Sequence, residues 1–371
     1  MTDLIQCQDE LARFCQSALR APWLGLDTEF ERVRTYYPRL CLLQLSTLER
    51  TVCVDPLQGL DLDPLAQLIT NSPITILHAA RQDLEVLQYA LQVSPQRVFD
   101  TQIAAALLGH GEQVGYASLA KALCGVDLAK QQTRSDWTRR PLSDAQISYA
   151  LDDARYLGSF YEHFFKELDS RQRLGWVIED CAALVQRDLL REAADSAVMR
   201  THTRSRRLTH EQQSVVLALA RWRERTAQES NLPRGWVLTD NAVLDIAREM
   251  PGNANALGSI EGVSSKLRAR WGEVLMGVID DGRRNKNKIK PLLVEVRPAR
   301  ETKQLADRLW AQLKSRCADE GIATSAVARR EQMIALASGQ DSAALLSGWR
   351  GRFIGCEFKR FCDDVLSHRS C

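Results

Sequence analysis

An apolar run that ends in two alternating acidic residues constrains this chain more than any other stretch. Residues 23–29 read as a buried strand, and Asp27 and Glu29 stand two positions apart at its end. Alternate residues of a strand face the same side of a sheet, so both carboxylates would emerge together. Two adjacent like charges raise each other's pKa unless a cation lies between them. The stretch therefore predicts a site for a hard divalent ion, with an ordinary solvated strand edge as the alternative.

Short strands and helices alternate through the first 170 residues. Besides 23–29, the predicted strands are 40–46, 51–54, 74–78 and 98–100, and the predicted helices are 9–19, 61–71, 83–91 and 101–108. This order favours an α/β sheet with helices packed on it. Ligands of open α/β sheets bind near the carboxyl ends of strands, where Glu29 and His78 both lie.

A long helix is predicted from Ser143, its N-cap, to about residue 168. Tyr149 and Asp153 are four residues apart and share one face of this helix, whereas Asp152 points elsewhere. Asp153 is thus the better candidate ligand, although it could instead pair with Arg155. Asp83 opens an earlier predicted helix, where the helix dipole alone could favour an acid.

Beyond about residue 170 the chain is predicted to be helical. The predicted boundaries are an α/β domain at 1–170, a helical connector and linker at 171–208, a helical domain at 209–282, a basic linker at 283–300 and a second helical domain at 301–371. Thr209 and Gln212 form a capping box at the start of the first helical domain. The two domains are weakly alike around 247–250 and 328–331, which indicates a tandem duplication.

Composition excludes several classes of protein. The ten cysteines are scattered, without a Cys-x-x-Cys pair or a Cys/His cluster at zinc spacing, which favours a reduced compartment. The first residues carry no basic-then-apolar signal pattern, and no uncharged apolar run approaches the roughly 20 residues of a membrane span. We therefore expect a cytoplasmic protein without membrane contact.

The acidic residues occur in three motifs that resemble those of a known enzyme superfamily. Asp27-Thr28-Glu29-Phe30, then the run from His78 to Leu87 with Asp83, then Tyr149-x-x-x-Asp153 resemble the exonuclease motifs of the DEDD superfamily, and the tyrosine resembles its DEDDy branch. The run 130–137 and Phe99-Asp100-Thr101-Gln102 resemble the ribonuclease D family in particular. The two helical domains resemble HRDC domains, the second more loosely.

The resemblance implies a fold and a reaction. The fold would be an α/β ribonuclease H-like (DnaQ-like) exonuclease domain, with a mixed sheet and flanking helices, followed by two all-α HRDC-like domains. The reaction would be metal-dependent 3′–5′ exonucleolysis that releases nucleoside 5′-monophosphates. The implied cofactors are two divalent ions, Mg²⁺ or Mn²⁺, which clamp the attacking and leaving oxygens.

The implied site residues have separate roles. Asp27 would bridge both ions, Glu29 and Asp153 would complete the shell of the first, and Asp83 would act through the second. Tyr149 would orient the attacking water, because an unperturbed tyrosine with a pKa near about 10 is a poor general base at neutral pH.

Candidate RNA contacts lie beside these motifs and in the first helical domain. Thr28, Phe30 and His78 flank the predicted ligands and could touch the terminal nucleotide or simply pack in the sheet. Arg134 and Trp137 lie on a predicted loop that Arg139 and Arg140 make more basic. In the helical domain, a basic face beside Trp271 would comprise Arg248, Lys266, Arg268 and Arg270.

The partner implied by this reading is RNA, in the form of tRNA precursors and other structured RNAs with a free 3′ end. We expect no obligatory protein partner and a monomer. Two other functions stay open at this point. One is a 3′–5′ DNA exonuclease of the proofreading or helicase-linked type, although the sequence lacks a helicase ATPase motif. The other is a non-catalytic nucleic-acid-binding protein.

Overall fold

The structure, a computed structural model, falls into two compact units. The residues that it describes are 3–128, 135–292, 298–339 and 343–354, without the side chains of 343 and 344. Unit 1 comprises the described residues within 1–30, 40–187 and 297–371, and unit 2 those within 31–39 and 188–296. Within this described part, no helix has the length and apolar character to cross a membrane.

Unit 1 is built on one six-stranded sheet with the strand order β1-β4-β3-β2-β5-β6. The strands are β1 (Leu4–Ile5), β2 (Leu24–Glu31), β3 (Arg39–Ser46), β4 (Thr51–Val54), β5 (Thr75–Leu77) and β6 (Val98–Asp100). β3 pairs antiparallel with β4, whereas β2 with β5, β5 with β6 and β1 with β4 are parallel pairs. The predicted mixed sheet is confirmed, and the two-residue edge strand β1 is an addition to it.

Among the described residues before 188, eight α-helices belong to unit 1. They are α1 (Gln8–Ala18), α2 (Asp63–Asn71), α3 (Arg81–Ala90), α4 (Thr101–Leu107), α5 (Tyr116–Cys124), α6 (Asp144–Arg155), α7 (Leu157–Ser170) and α8 (Leu174–Val185). The strands are apolar along most of their length because helices cover the sheet. Residues 171–208, which were predicted as one connector, are therefore divided between the two units. Helix α8 belongs to unit 1, and residues 188–208 belong to unit 2.

The prediction of one continuous helix after Ser143 is wrong, because α6 and α7 meet at a break at Tyr156. In a continuous helix the Tyr156 N–H would donate to the carbonyl of Asp152. It donates instead to the hydroxyl of Tyr116, at 3.0 Å, and that hydroxyl donates to the Asp152 carbonyl, at 2.9 Å. A side chain inserted into the backbone ladder is a recognised cause of a helix break.

The described part of unit 2 contains six α-helices, which are α9 (Leu189–Thr203), α10 (His210–Glu229), α11 (Arg234–Val237), α12 (Asp240–Glu249), α13 (Ala254–Gly258) and α14 (Ser265–Arg284). The capping box of Thr209 and Gln212 is present at the start of α10. Buried apolar residues of α10, α12 and α14 form the core of this unit. The predicted basic linker begins inside α14, and residues 293–297 of that linker lie outside the described residues.

The remaining helices belong to unit 1, and the last of them contacts α8. They are α15 (Arg300–Asp319), α16 (Thr324–Val327), α17 (Arg330–Ala337) and α18 (Ala343–Leu346), and residues 348–354 are also helical. Trp349 stacks on Trp176 of α8, with ring centroids 4.7 Å apart and planes 9° from parallel. Arg350 forms an ion pair with Asp180 of α8 at 2.6 Å. These contacts fix the last helices against the unit that contains the sheet.

Candidate active site

Strand β2 brings the first two acidic residues together. Gly25, Asp27 and Glu29 alternate along it and share one face of the sheet. A Cβ at Gly25 would lie 2.1 Å from the Ser46 hydroxyl oxygen and 3.2 Å from Cβ of Leu157. Only a glycine therefore allows the start of α7 to approach this face so closely. The same helical region carries Asp153 at the end of α6.

Three carboxylates meet at this face. Oxygens of Asp27, Glu29 and Asp153 all lie within 4.8 Å of one another. The structure thus brings together two residues of one strand and one that follows them by more than a hundred positions. Clustered carboxylate oxygens are the ligands that hard divalent ions require, so these residues fit a Mg²⁺ or Mn²⁺ site.

Asp83 lies close to this cluster but has its own support. It sits in the first turn of α3, is 7% exposed, and accepts a hydrogen bond of 2.6 Å from the Thr28 hydroxyl. Its negative charge raises the pKa of both Asp27 and Glu29. Asp83 therefore acts electrostatically on the cluster from a position that Thr28 holds.

The cluster retains protons above the ordinary range of carboxylic acids. Burial, reinforced by the charges of Asp153 and Asp83, raises the pKa of Glu29 to about 8. Burial is also the main cause that raises the pKa of Asp83 to about 7 and that of Asp153 to about 7. The pKa of Asp27 rises well above its usual value, through burial and then the charges of its neighbours. Such a site has a strong electrostatic demand for cations.

Helix α6 aims one of its two adjacent aspartates at the cluster. The Tyr149 side chain hydrogen-bonds Asp153 and favours its ionised form, which lowers the pKa that burial raises. Asp152 instead forms an ion pair with Arg155 at 2.8 Å. Arg155 therefore pairs with Asp152, and Asp153 stays available to the cluster.

Asp100 organises the site, although the sequence analysis singled it out only within the run Phe99-Asp100-Thr101-Gln102. Its carboxylate accepts hydrogen bonds from the backbone N–H groups of Ala79 and Ala80 at 3.0 and 2.9 Å, and it also caps α4 through Gln102 and Ile103. Ala79 has a φ of 59°, a conformation that costs free energy in residues other than glycine. Asp100 thus fixes the strained turn that leads into α3 and to Asp83.

Replacing Asp100 by alanine is expected to lower the free energy of unfolding by about 2–4 kcal/mol, because several backbone donors lose their acceptor. Chemical denaturation followed by circular dichroism measures this loss. Asp188→Ala is the matched control, since Asp188 caps α9 through a single bond to Arg191. If the two variants lose equal stability, Asp100 is an ordinary helix cap.

The predicted RNA contacts beside the cluster occupy different environments. Thr28 is 7% exposed and engaged by Asp83. Phe30 is half-buried at the end of β2. His78 is also half-buried, with Nδ1 2.9 Å from the Thr101 hydroxyl. Phe30 and His78 therefore keep some accessible surface, whereas Thr28 serves mainly to hold Asp83.

The basic loop before α6 differs from its prediction. Arg134 lies outside the described residues. Trp137 is 4% exposed and packs in an apolar cluster with Leu142 and Leu151, so we assign it to the core and not to RNA. Arg140 forms an ion pair with Asp55 at 2.6 Å, which makes it a structural residue.

The predicted basic face of unit 2 is exposed. This holds for Arg248, Lys266, Arg268 and Arg270. Arg248 is ion-paired with Asp245, and the Arg270 guanidinium lies 4.5 Å from the ring centroid of Trp271. Trp271 itself packs against the core of unit 2, with its ring edge-on to Trp222. The charges are therefore accessible, while the tryptophan is mainly a core residue.

Known proteins resemble the chain over nearly its whole length. A family model described as a 3′–5′ exonuclease matches residues 3–169, and an HRDC domain model matches residues 212–279. Ribonuclease D of Jannaschia sp. is 35% identical over 380 residues, with 99% of this chain and 97% of that protein covered. Ribonuclease D of Gluconacetobacter diazotrophicus is 36% identical, with 95% and 91% covered. The crystal structure of Escherichia coli RNase D, described as an exoribonuclease involved in structured RNA processing, has a TM-score of 0.83 at 27% identity and covers 98% of each chain.

Proposed function

Since the chain belongs to the ribonuclease D family and is a 3′–5′ exoribonuclease, we propose that its active site is of the DEDDy type. Its residues are Asp27, Glu29, Asp83, Asp153 and Tyr149. The observation that carries this proposal is the convergence of Asp27, Glu29 and Asp153 oxygens within 4.8 Å. The DnaQ-like exonuclease fold and the HRDC domain place the chain in the same class as its relatives.

Divalent metal use follows from this fold, and we propose two ions, Mg²⁺ or Mn²⁺. Asp27 would contribute to both sites, Glu29 and Asp153 would complete one, and Asp83 would serve the other from its hydrogen bond with Thr28. Bound ions of this kind supply a nucleophilic hydroxide and stabilise the charge that develops on phosphate oxygens. The carboxylates must release their protons before they can serve as ligands.

Tyr149 would position the attacking water. Its side chain is already hydrogen-bonded to Asp153, which fixes the direction of the hydroxyl group. A phenol oxygen can accept as well as donate hydrogen bonds. The oxygen of Tyr149 can therefore accept a hydrogen bond from the attacking water while the tyrosine keeps its own proton. The scissile bond would be the last phosphodiester at a 3′ end, and the product a nucleoside 5′-monophosphate.

The proposed substrates are tRNA precursors with 3′ trailers and other structured RNAs with a free 3′ end. Support comes from the E. coli relative, which is described as acting in structured RNA processing. The alternatives of a DNA exonuclease and of a non-catalytic binding protein are not favoured by these relatives.

We also propose that the last helices form a second HRDC-like domain. Both helical segments follow the same order, in which a 20-residue helix precedes a four-residue helix, a medium helix and another short one. The domain boundaries predicted from the sequence, a monomeric state without an obligatory protein partner, and a cytoplasmic location stay predictions beside this proposal.

A product time course tests the proposed function. The substrates are a 5′-labelled tRNA-like RNA with a 3′ extension and DNA of the same sequence, each with Mg²⁺, Mn²⁺ or EDTA. We expect the RNA to shorten one nucleotide at a time, with no shortening in EDTA. Faster shortening of DNA would support a DNA exonuclease, and binding without cleavage would support a binding protein.

The exposed basic face of unit 2 is expected to extend the surface that binds structured RNA. Changing Lys266 and Arg268 together to glutamate should weaken binding by about tenfold or more at low salt and reduce the salt dependence of binding. Hydrolysis of a short single-stranded oligomer should change little. Arg191→Glu on α9, whose guanidinium is also exposed, is the charge control. Equal losses on both substrates would argue against this division of labour.

A further inference from the structure

Gln44 is a fully buried amide in β3 that has no structural partner. It is 0% exposed, and neither its amide nitrogen nor its amide oxygen has a hydrogen-bond partner among the described residues. Burial of an unpaired amide is costly, and an apolar side chain of similar shape would avoid that cost. A buried polar group without a hydrogen-bond partner needs an explanation, and a role at an active site is one known explanation.

The register of the sheet places Gln44 next to Asp27. β2 and β3 are neighbours, and the short connection from Arg32 to Pro38 is compatible only with an antiparallel pair. Gly25 lies beside Ser46, because a Cβ on Gly25 would meet the Ser46 hydroxyl. In an antiparallel pair, two residues forward along β2 correspond to two residues back along β3. The neighbour of Asp27 is therefore Gln44, on the same face.

This face is the one that α6 covers. Ser46 shares the face with Gln44 and donates a hydrogen bond of 2.8 Å to the Ala154 carbonyl of α6. On the other side, Gln44 is paired with Cys53, whose pKa is raised by burial and further by the charges of Asp27, Glu29 and Asp153 among others. Gln44 thus lies between Cys53, whose thiol is within electrostatic range of the carboxylates, and Asp27, which is one of those carboxylates.

Ser46 shows what a purely structural polar residue does at this depth. Its hydroxyl ties β3 to the backbone of α6. Gln44, two residues away, makes no such tie within the part of the chain that the structure describes. An amide nitrogen carries two donors, and an ionised carboxylate has more lone pairs than a metal occupies. The chemistry of Gln44 therefore matches the needs of an ionised Asp27.

We propose that Gln44 is a positioning residue of the cation site, whose Nε2–H group, unpaired among the described residues, would donate to the ionised Asp27 carboxylate and hold it in the orientation that binds divalent ions. This inference rests on the proposed metal site. Partners that orient metal ligands commonly change metal affinity by about 10–100-fold when they are removed. Gln44 would act on cleavage only through Asp27.

The test compares the wild-type chain with Gln44→Met, which keeps the volume and removes the donor. Calorimetric titration with Mn²⁺ alone, without RNA, measures cation affinity, and thermal unfolding in EDTA measures stability. We expect Mn²⁺ affinity to fall by about tenfold. We also expect a lower kcat with KM nearly unchanged, and a melting temperature in EDTA that is equal or higher. Leu45→Met, a buried change on the opposite face of β3, should change none of these.

Gln44→Met with wild-type Mn²⁺ affinity and kcat would overturn the proposal, whatever its melting temperature. Gln44→Leu repeats the test with another apolar shape in case the methionine variant fails to fold. A wild-type chain that binds no Mn²⁺ in the same titration would overturn the metal site itself. The two failures are therefore distinguishable.

Discussion

Asp27→Asn is expected to reduce RNA cleavage by roughly 10³-fold or more, because Asp27 stands at the centre of the cluster and carries charge that the cations require. The fold should survive, since asparagine has the same shape and removes a repelled charge. Single-turnover cleavage of a 3′-extended RNA measures the loss. RNA binding, measured separately by gel shift, should stay near the wild-type level.

The same variant should be more stable than the wild type without metal. Besides burial, the charges of Asp83, Asp153 and Glu29 raise the pKa of Asp27, and asparagine removes this repulsion, so the melting temperature in EDTA at pH 8 should rise by at least about 2 °C. Added Mg²⁺ should stabilise the wild type and not the variant. Asp152→Asn is the matched control, because Asp152 pairs with Arg155 and should retain cleavage. A variant with normal cleavage would remove Asp27 from the active site.

Cation binding is expected to release protons and to weaken steeply as the pH falls below about 7. The pKa of Glu29 is about 8, and those of Asp83 and Asp153 are about 7. At pH 6 these groups hold protons that the metal must displace, so affinity should rise about tenfold per pH unit for each proton released. Calorimetry in buffers of different ionisation enthalpy counts the protons. Equal Mg²⁺ affinity at pH 6 and pH 8 would contradict this prediction.

The same groups make the metal-free protein less stable as the pH rises. Their pKa values in the folded state lie above those of free carboxylic acids, so the unfolded chain loses its protons first. The contribution to stability is present below about pH 4 and is lost as the pH rises through about 7–8. Thermal unfolding in EDTA from pH 6 to 8.5 should show this decline, and saturating Mg²⁺ should reverse it. A decline that persists in Glu29→Gln without attenuation would place its origin elsewhere.

Local sequence patterns were sufficient to predict those parts of the site that depend on residues close together in the chain. Alternation along a strand predicted that Asp27 and Glu29 share a face, and helical spacing separated Asp153 from Asp152. Both statements follow from backbone geometry alone. The strands of the sheet were likewise predictable, because they are short apolar runs bounded by turns. That the sheet is mixed was implied by the family resemblance.

The support of the site was not predictable in this way, because it depends on residues distant in sequence. The hydroxyl of Tyr116 breaks the helix 36 positions later, and nothing in the local pattern of α6 signals it. Asp100 reaches back 21 positions to the turn before Asp83. Trp137 was predicted as an RNA contact because its neighbours in the sequence are basic. Those neighbours do not show which way its ring faces, and the ring is buried.

The stack of Trp176 and Trp349 also has a consequence for biosynthesis. Unit 1 is discontinuous, because residues 188–296 of unit 2 lie in the sequence between α8 and the helical segment 348–354 that packs on it. Domains of a growing chain fold in the order in which they leave the ribosome. During translation, Trp176 and Asp180 are therefore uncovered until more than a hundred further residues have been added. The nuclease is completed late, and a chain that stalls within unit 2 carries the catalytic sheet without its final supporting layer.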